Sequence, residues 1–226
     1  PMAADFLKAC AISRLNTLIS AGSNCGKTTL LNVLASFIPE GERVITIEDT
    51  RELHIDRAHT IFLETRSPNM EGKGEITIRD LVRNSLHMRP DRIIIGEVRS
   101  SEVLDMIQAM NTGHEGSMTT FHANSPLDAM DRLEVLALMG SHNISSEVAK
   151  RQIITAIDLV VQLARFADGT RRIIEIAEVI KCKEYKTQDL FVYDEDSGVL
   201  KLTGNIPTFY PMLKKKANYS AREFEK

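Results

Sequence analysis

The sequence predicts an α/β fold, a mostly parallel sheet flanked by helices and followed by a C-terminal antiparallel β extension. Three observations predict it. Helix-like and strand-like patterns alternate through the first two thirds of the chain. A glycine-containing loop, Ser20 to Thr29, lies between an apolar strand and a helix. The hairpin signal Ala167-Asp168-Gly169-Thr170 then opens a run of further strands.

The first elements are a helix over Ala4 to Arg14 and a short buried strand over Asn16 to Ser20. Leu30, Leu31, Val33, Leu34 and Phe37 recur at helical spacing within Thr28 to Phe37, and Pro39-Glu40-Gly41 ends that helix. Arg43 to Ile47 reads as a strand with Glu48-Asp49 at its carboxyl end, where open α/β sheets place their ligands. A second extended run, Thr60 to Glu64, leads into the glycine- and charge-rich stretch Arg66 to Gly74, expected as a mobile loop. Thr77, with Asp80 three places on, caps a helix running to Met88, before Pro90. The apolar triplet Ile93-Ile94-Ile95 is a buried strand followed by Gly96-Glu97, and Ser100 or Ser101 caps a helix through Ala109 or Met110. Ser117 to Asn124 is the next strand, followed by helices over Pro126 to Met139 and Ser145 to Ala156. Ile157 to Phe166 and Arg171 to Ile180 flank the hairpin turn, and Leu190 to Tyr193 and Leu200 to Leu202 complete an antiparallel tail. These elements predict a nucleotide-binding core over residues 1–160 and an extension over 161–226 packed on the same domain.

At 226 residues and 43% hydrophobic content the chain suits one large globular domain. Cys10, Cys25 and Cys182 are widely spaced, odd in number and without metal-ligand spacing, which suits a reducing compartment, by default the cytoplasm. No apolar run reaches membrane-spanning length. A start at Pro1-Met2 with the glycine loop close behind is what a fragment lacking an upstream domain would show. A formal net charge of −3 and the absence of interleaved basic and aromatic residues argue against nucleic-acid binding. Lys214-Lys215-Lys216 suits a solvated surface and, secondarily, an acidic partner or lipid headgroups.

The chemistry concentrates in Ser20-Ala21-Gly22-Ser23-Asn24-Cys25-Gly26-Lys27-Thr28-Thr29, which ends as a Walker A phosphate loop does, with Ala21 where glycine is usual. Such a loop aims backbone N–H groups and a helix N-terminus at one spot and so favours a polyphosphate. Gly22 to Thr29 form the candidate cradle for ATP, with Lys27 neutralising the β and γ phosphates and the Thr28 hydroxyl ligating Mg2+. Asn24 tolerates the left-handed conformation that glycine otherwise supplies. A dinucleotide fold is the nearest rival, because Glu48 and Asp49 lie where a ribose-binding acid would sit, but the spaced glycines of that fingerprint are missing. Glu97 is the candidate Walker B acid, reaching Mg2+ through water, and Glu48, with Asp49 competing, the candidate for orienting the attacking water. His122 suits a γ-phosphate contact; its pairing with His114 leaves a zinc site as the competing idea, without cysteine or tight His/Glu spacing to support it. Cys25, among N–H dipoles and beside Lys27, is a candidate reactive thiol against the plainer alternative of an inert loop filler.

Taken together, Thr46-Ile47-Glu48-Asp49, Gly96-Glu97-Val98-Arg99 and Thr112-Gly113-His114 through His122-Ala123-Asn124 resemble the Asp box, Walker B region and His box of the type II and type IV secretion and pilus ATPases. Within that superfamily, Ile76 with Arg79-Asp80-Leu81-Val82-Arg83-Asn84, Arg89-Pro90-Asp91-Arg92 and Met106 to His114 are most similar to the CpaF-type ATPase of tight-adherence (Flp) pili. The resemblance extends over about Ala4 to Val192 and is most specific from Leu15 to Leu133. It implies a RecA-like ATPase working as a hexameric ring, with sites completed between neighbours, on an inner-membrane platform that it meets through partners. It further implies Glu97 in the Walker B role, Glu48 as catalytic carboxylate, His122 at the γ-phosphate, and Arg51, Arg66, Arg79 or Arg89 as a trans-acting arginine. A nucleotide-gated assembly module and a P-loop nucleic-acid translocase are the alternative functions.

Overall fold

The computed structural model describes residues 2–141, 143–221 and 224, so Pro1 lies outside it. Among the described residues nine strands form one sheet in the order β3-β2-β4-β5-β1-β6-β7-β8-β9. These are β1 (Thr17–Ala21), β2 (Val44–Glu48), β3 (Thr60–Glu64), β4 (Arg92–Ile95), β5 (Met118–Phe121), β6 (Leu159–Arg165), β7 (Arg171–Val179), β8 (Thr187–Asp194) and β9 (Val199–Leu202). Strands β1 to β6 run parallel, and β7, β8 and β9 add antiparallel to the β6 edge. The predicted α/β class, with its parallel sheet and antiparallel extension, is the one observed.

Apolar strands buried on both faces explain why the parallel part reads as short hydrophobic runs rather than alternation. Successive residues serve opposite faces. Ile94 joins one core with Phe6, Leu31, Leu34 and Leu213, whereas Ile93 and Ile95 join a second with Val82, Ile107, Leu133 and Ile153. The first core is covered by α1 (Met2–Ile12), α2 (Lys27–Ala35) and α7 (Tyr210–Ala217), the second by α3 (Ile78–Ser85), α4 (Glu102–Asn111), α5 (Pro126–Gly140) and α6 (Ser146–Ala156).

Asn16 ties three parallel strands together where they enter the sheet. Its Oδ1 accepts the N–H groups of Gly116 and Ser117 at 2.8 and 3.1 Å, and its Nδ2 donates to the Ala156 carbonyl at 2.7 Å. Arg92 is fully buried at the start of β4, paired to Glu42 at 2.5 Å and donating to the Ala11 carbonyl. Gly116, at φ 83°, passes so close that a Cβ there would stand 2.7 Å from Arg92 Nη1.

One expectation, the cap of α4, changes, and two others gain detail. The Arg66 to Gly74 stretch is a loop, closed at its base by an antiparallel bridge between Arg66 and Ile76, and within it Asn69 Oδ1 accepts from the N–H groups of Glu71 and Lys73 at 3.0 and 2.8 Å. Helix α4 has Ser101 at its N-cap but without a side-chain cap; Glu102 instead accepts from the N–H groups of Arg99 and Ser100 at 2.7 and 2.9 Å. Lys214 to Lys216 are exposed, as a solvated surface requires, and form the last turn of α7, where cations complement the helix dipole; Lys216 Nζ donates to the Ser13 carbonyl at 3.4 Å. Thr77 and Asp80 form the expected capping box on α3.

Candidate functional site

The strand order places β5 between β1 and β4, so three chain segments far apart in sequence end side by side. At those carboxyl ends lies a cavity of about 610 Å3. Ser23, Asn24, Cys25, Gly26, Lys27, Thr28, Thr29, Glu48, Glu97 and His122 all line it. Gly22 contributes differently, through its carbonyl, which accepts from Lys27 Nζ at 3.2 Å.

The cradle is built by local backbone geometry. Asn24 and Gly26 adopt positive φ of 56° and 88°, and Gly26 is the left-handed N-cap of α2 with no side chain capping it. The first-turn N–H groups of α2 therefore keep their hydrogen-bonding capacity for a ligand. This is the observation that a polyphosphate fits. Thr28 lines the same cavity and Glu97 stands across it, the hydroxyl and carboxylate oxygens that a magnesium ion and its waters require.

Glu97 is the electrostatic centre. Its carboxylate lies 3.6 Å from Lys27 Nζ and 2.9 Å from His122 Nε2, and it is also paired with Arg99. Lys27 Nζ stands 3.3 and 3.4 Å from the two ring nitrogens of His122, so the ammonium rests against the ring rather than on one lone pair. Burial lowers the Lys27 pKa, and the Glu97 carboxylate works against that shift. Glu48 is buried at 4% exposure, and its carboxylate accepts from the N–H groups of Glu52 and Leu53 at 3.0 and 3.1 Å. Burial raises its pKa, opposed by those same N–H groups. Gly96 is needed beside it, since a Cβ there would stand 2.9 Å from Glu48 Cγ.

The competing zinc reading finds no support. His114 and His122 lie at opposite ends of β5, and His114 Nδ1 contacts the Ala109 carbonyl at 3.3 Å, so they share no metal site. Among the described residues no group of three or more His, Cys, Asp or Glu is placed to hold a metal ion. The Cys25 side chain packs with the hydrophobic core at 6% exposure and donates to the Ser23 carbonyl, while also lining the cavity. Arg51, Arg66, Arg79 and Arg89 lie outside this subunit's own cavity lining, as a residue serving a neighbour's site would: Arg51 stacks on Phe62, Arg66 donates to the Gly74 carbonyl, Arg79 pairs with Asp105, and Arg89 closes the 3-10 turn after α3.

Asp49, Thr120, Arg99 and Arg171 also line the cavity. Arg99 bridges Glu97 and Asp49, reaching the latter at 3.6 Å across the β2–β4 boundary. Its signal in the sequence was its place two residues beyond Glu97; Arg171 had none.

With this geometry established, the sequence profile described as "Type II/IV secretion system protein" matches residues 2–195. The chain belongs to that family. Within it, the chain is 39% identical over 199 residues to a Mycobacterium tuberculosis protein named for conjugal transfer, covering 88% of this chain and 56% of that one. It is 35% identical over 178 residues to Protein VirB11 of Rhizobium radiobacter, covering 77% and 50%. The chain thus spans about half the length of the curated relatives it matches. Among solved structures, the VirB11 ATPase of the Brucella suis type IV secretion system, in complex with sulphate, superposes with a TM-score of 0.71 at 29% identity over 78% of this chain and 52% of that one. The pilus retraction motor PilT with bound ADP shares the fold, with a TM-score of 0.58 at 22% identity over 81% of this chain and 50% of that one. No helix among the described residues is long and apolar enough to cross a membrane.

Proposed function

We propose that this chain is the ATP-hydrolysing part of a secretion-system motor. The observation that carries the proposal is the convergence of Lys27, Glu97 and His122, from the ends of α2, β4 and β5, on one cavity beside an uncapped helix N-terminus. In the proposed reaction the loop N–H groups and Lys27 hold the β and γ phosphates of ATP while water attacks the γ-phosphorus in line. Glu48, held by the Glu52 and Leu53 N–H groups, orients that water, and its raised pKa suits it to take the proton. His122 contacts the γ-phosphate as Lys27 turns from Glu97 to the phosphates. Mg2+, held by Thr28 and through water by Glu97, would supply charge neutralisation at the β and γ oxygens. Loss of the γ-phosphate contacts then releases the loops around the cavity, the motion a motor transmits.

At the level of assembly, the motor is a ring, hexameric by resemblance, working at the cytoplasmic face of the inner membrane on platform proteins that assemble Flp-type pili. The names of its relatives, which include a conjugal transfer protein, VirB11 and a pilus retraction motor, support a secretion or pilus role; the motif likeness supports the tight-adherence assignment. Nucleic acid is not a partner in this proposal. The test compares ATP binding and phosphate release for the wild type, Lys27→Ala and Glu97→Gln. Lys27→Ala loses both, whereas Glu97→Gln keeps ATP binding and loses turnover at least about a hundredfold. Unaltered turnover in Lys27→Ala would defeat the proposal.

A further inference from the structure

The cavity's cations are unequally engaged. Lys27, His122 and Arg99 all face Glu97, and Arg99 also reaches Asp49. Arg171, the first residue of β7, lines the same cavity, and its guanidinium has no ion-pair or hydrogen-bond partner among the described residues. Its Cδ would stand 3.6 Å from a Cβ placed on Gly26, so the side chain lies directly over the phosphate loop.

The hairpin that carries Arg171 is held in place. Phe166 N–H donates to the Thr170 carbonyl at 2.8 Å, and Asp168 Oδ1 accepts from the N–H and hydroxyl of Thr170 at 2.8 and 2.6 Å. Side chains alternate along a strand. Arg172 accordingly takes the other face, where it contacts the Tyr193 hydroxyl at 2.5 Å and lies over the Phe166 and Tyr193 rings. Opposite Arg171 in the β6–β7 register stands Arg165, also exposed and also without a partner among the described residues. Like charges directly opposite on neighbouring strands destabilise a sheet. A polyanion bound beside them removes that repulsion.

We infer that Arg171, backed by Arg165, grips the polyphosphate of the bound nucleotide from the antiparallel extension, opposite Lys27. This rests on the proposed nucleotide site. It makes the β6–β7 hairpin part of the substrate site in the same subunit and gives the hairpin a direct contact through which nucleotide occupancy reaches β8, β9 and α7.

The test is equilibrium binding of Mg-ADP, and of inorganic pyrophosphate as competitor, to the wild type, Arg171→Ala, Arg171→Lys and Lys27→Ala, with thermal melting of each unliganded protein. Arg171→Ala weakens both ligands about tenfold, the loss of one charge-assisted contact, and Arg171→Lys recovers part of it. The melting temperature of unliganded Arg171→Ala stays at or above the wild-type value, because a like-charge pair has been removed. Wild-type affinity in Arg171→Ala, with binding lost in Lys27→Ala, overturns the inference and leaves the nucleotide site standing. Weakening confined to Mg-ADP also overturns it, since the contact would then be to the nucleoside. A wild type that binds neither ligand removes the nucleotide site and the inference together.

Discussion

Single side chains decide the chemistry because each is held in one charge environment. Glu48 is the sharpest case, a buried carboxylate whose pKa is raised by burial above the ordinary 4.5. A base must be ionised to accept a proton, so turnover falls as pH drops through a value above 4.5, and Glu48→Gln removes that limb along with most of the rate. A pH–rate profile of both proteins checks this; an acid limb that survives in Glu48→Gln would assign it to another group. Lys27 has its pKa lowered, its charge disfavoured by burial and only partly supported by Glu97. In the proposed reaction a polyphosphate would replace one anionic partner of Lys27 with another, so the ammonium would stay paired through the exchange. Arg99 shows why part of the site was invisible in the linear sequence. Its position two residues after Glu97 was plain, but its reach to Asp49 depends on β2 and β4 being neighbours in the sheet.

At the scale of elements, strands and helices follow from local pattern wherever the residues are strongly apolar. Thr60 to Glu64 is observed with the predicted ends, and Ile93-Ile94-Ile95 feeds both cores as a doubly buried strand should. Helix α7 does not stand out in the sequence because Pro211 and three consecutive lysines mask it; its buried anchors are Tyr210 and Leu213, in one cluster with Phe6 and Phe224, with Met212 and Ala217 partly buried beside them. Asn16, unremarkable in the sequence, joins the ends of β1, β5 and α6. Asn16→Ala leaves the buried N–H groups of Gly116 and Ser117 without an acceptor and costs about 2–4 kcal/mol, measurable by urea unfolding. An unchanged unfolding midpoint would show that the strands are held by packing alone. In the extension, burial and the neighbouring Asp189 carboxyl push Glu175 up to about 7 from 4.5. Between those values the unfolded chain gives up a proton that the folded chain keeps, so stability present below pH 4.5 is lost as pH rises through about 7. Glu175→Gln flattens that slope in unfolding measured across the same range; an unchanged slope would place the proton elsewhere.

For the whole molecule, the decisive feature is the strand order. Placing β5 between β1 and β4 sets His122 between the phosphate loop and Glu97, while β5 itself, running between them in the chain, keeps His114 at its other end. Motifs in the sequence named most of the cavity's lining but not its arrangement, because spacing along the chain does not reveal which strands are neighbours. Arg171 has the same cause: it lies far along the chain from Gly26 and reaches it only because β6 pairs with β1 and β7 with β6. The most direct measurement is phosphate release from Mg-ATP per subunit as protein concentration rises, with Lys27→Ala as the blank. A motor whose sites are completed between neighbours gives a per-subunit rate that climbs with concentration and stays well above the blank. A rate indistinguishable from Lys27→Ala at every concentration would contradict an ATP-hydrolysing function for this chain.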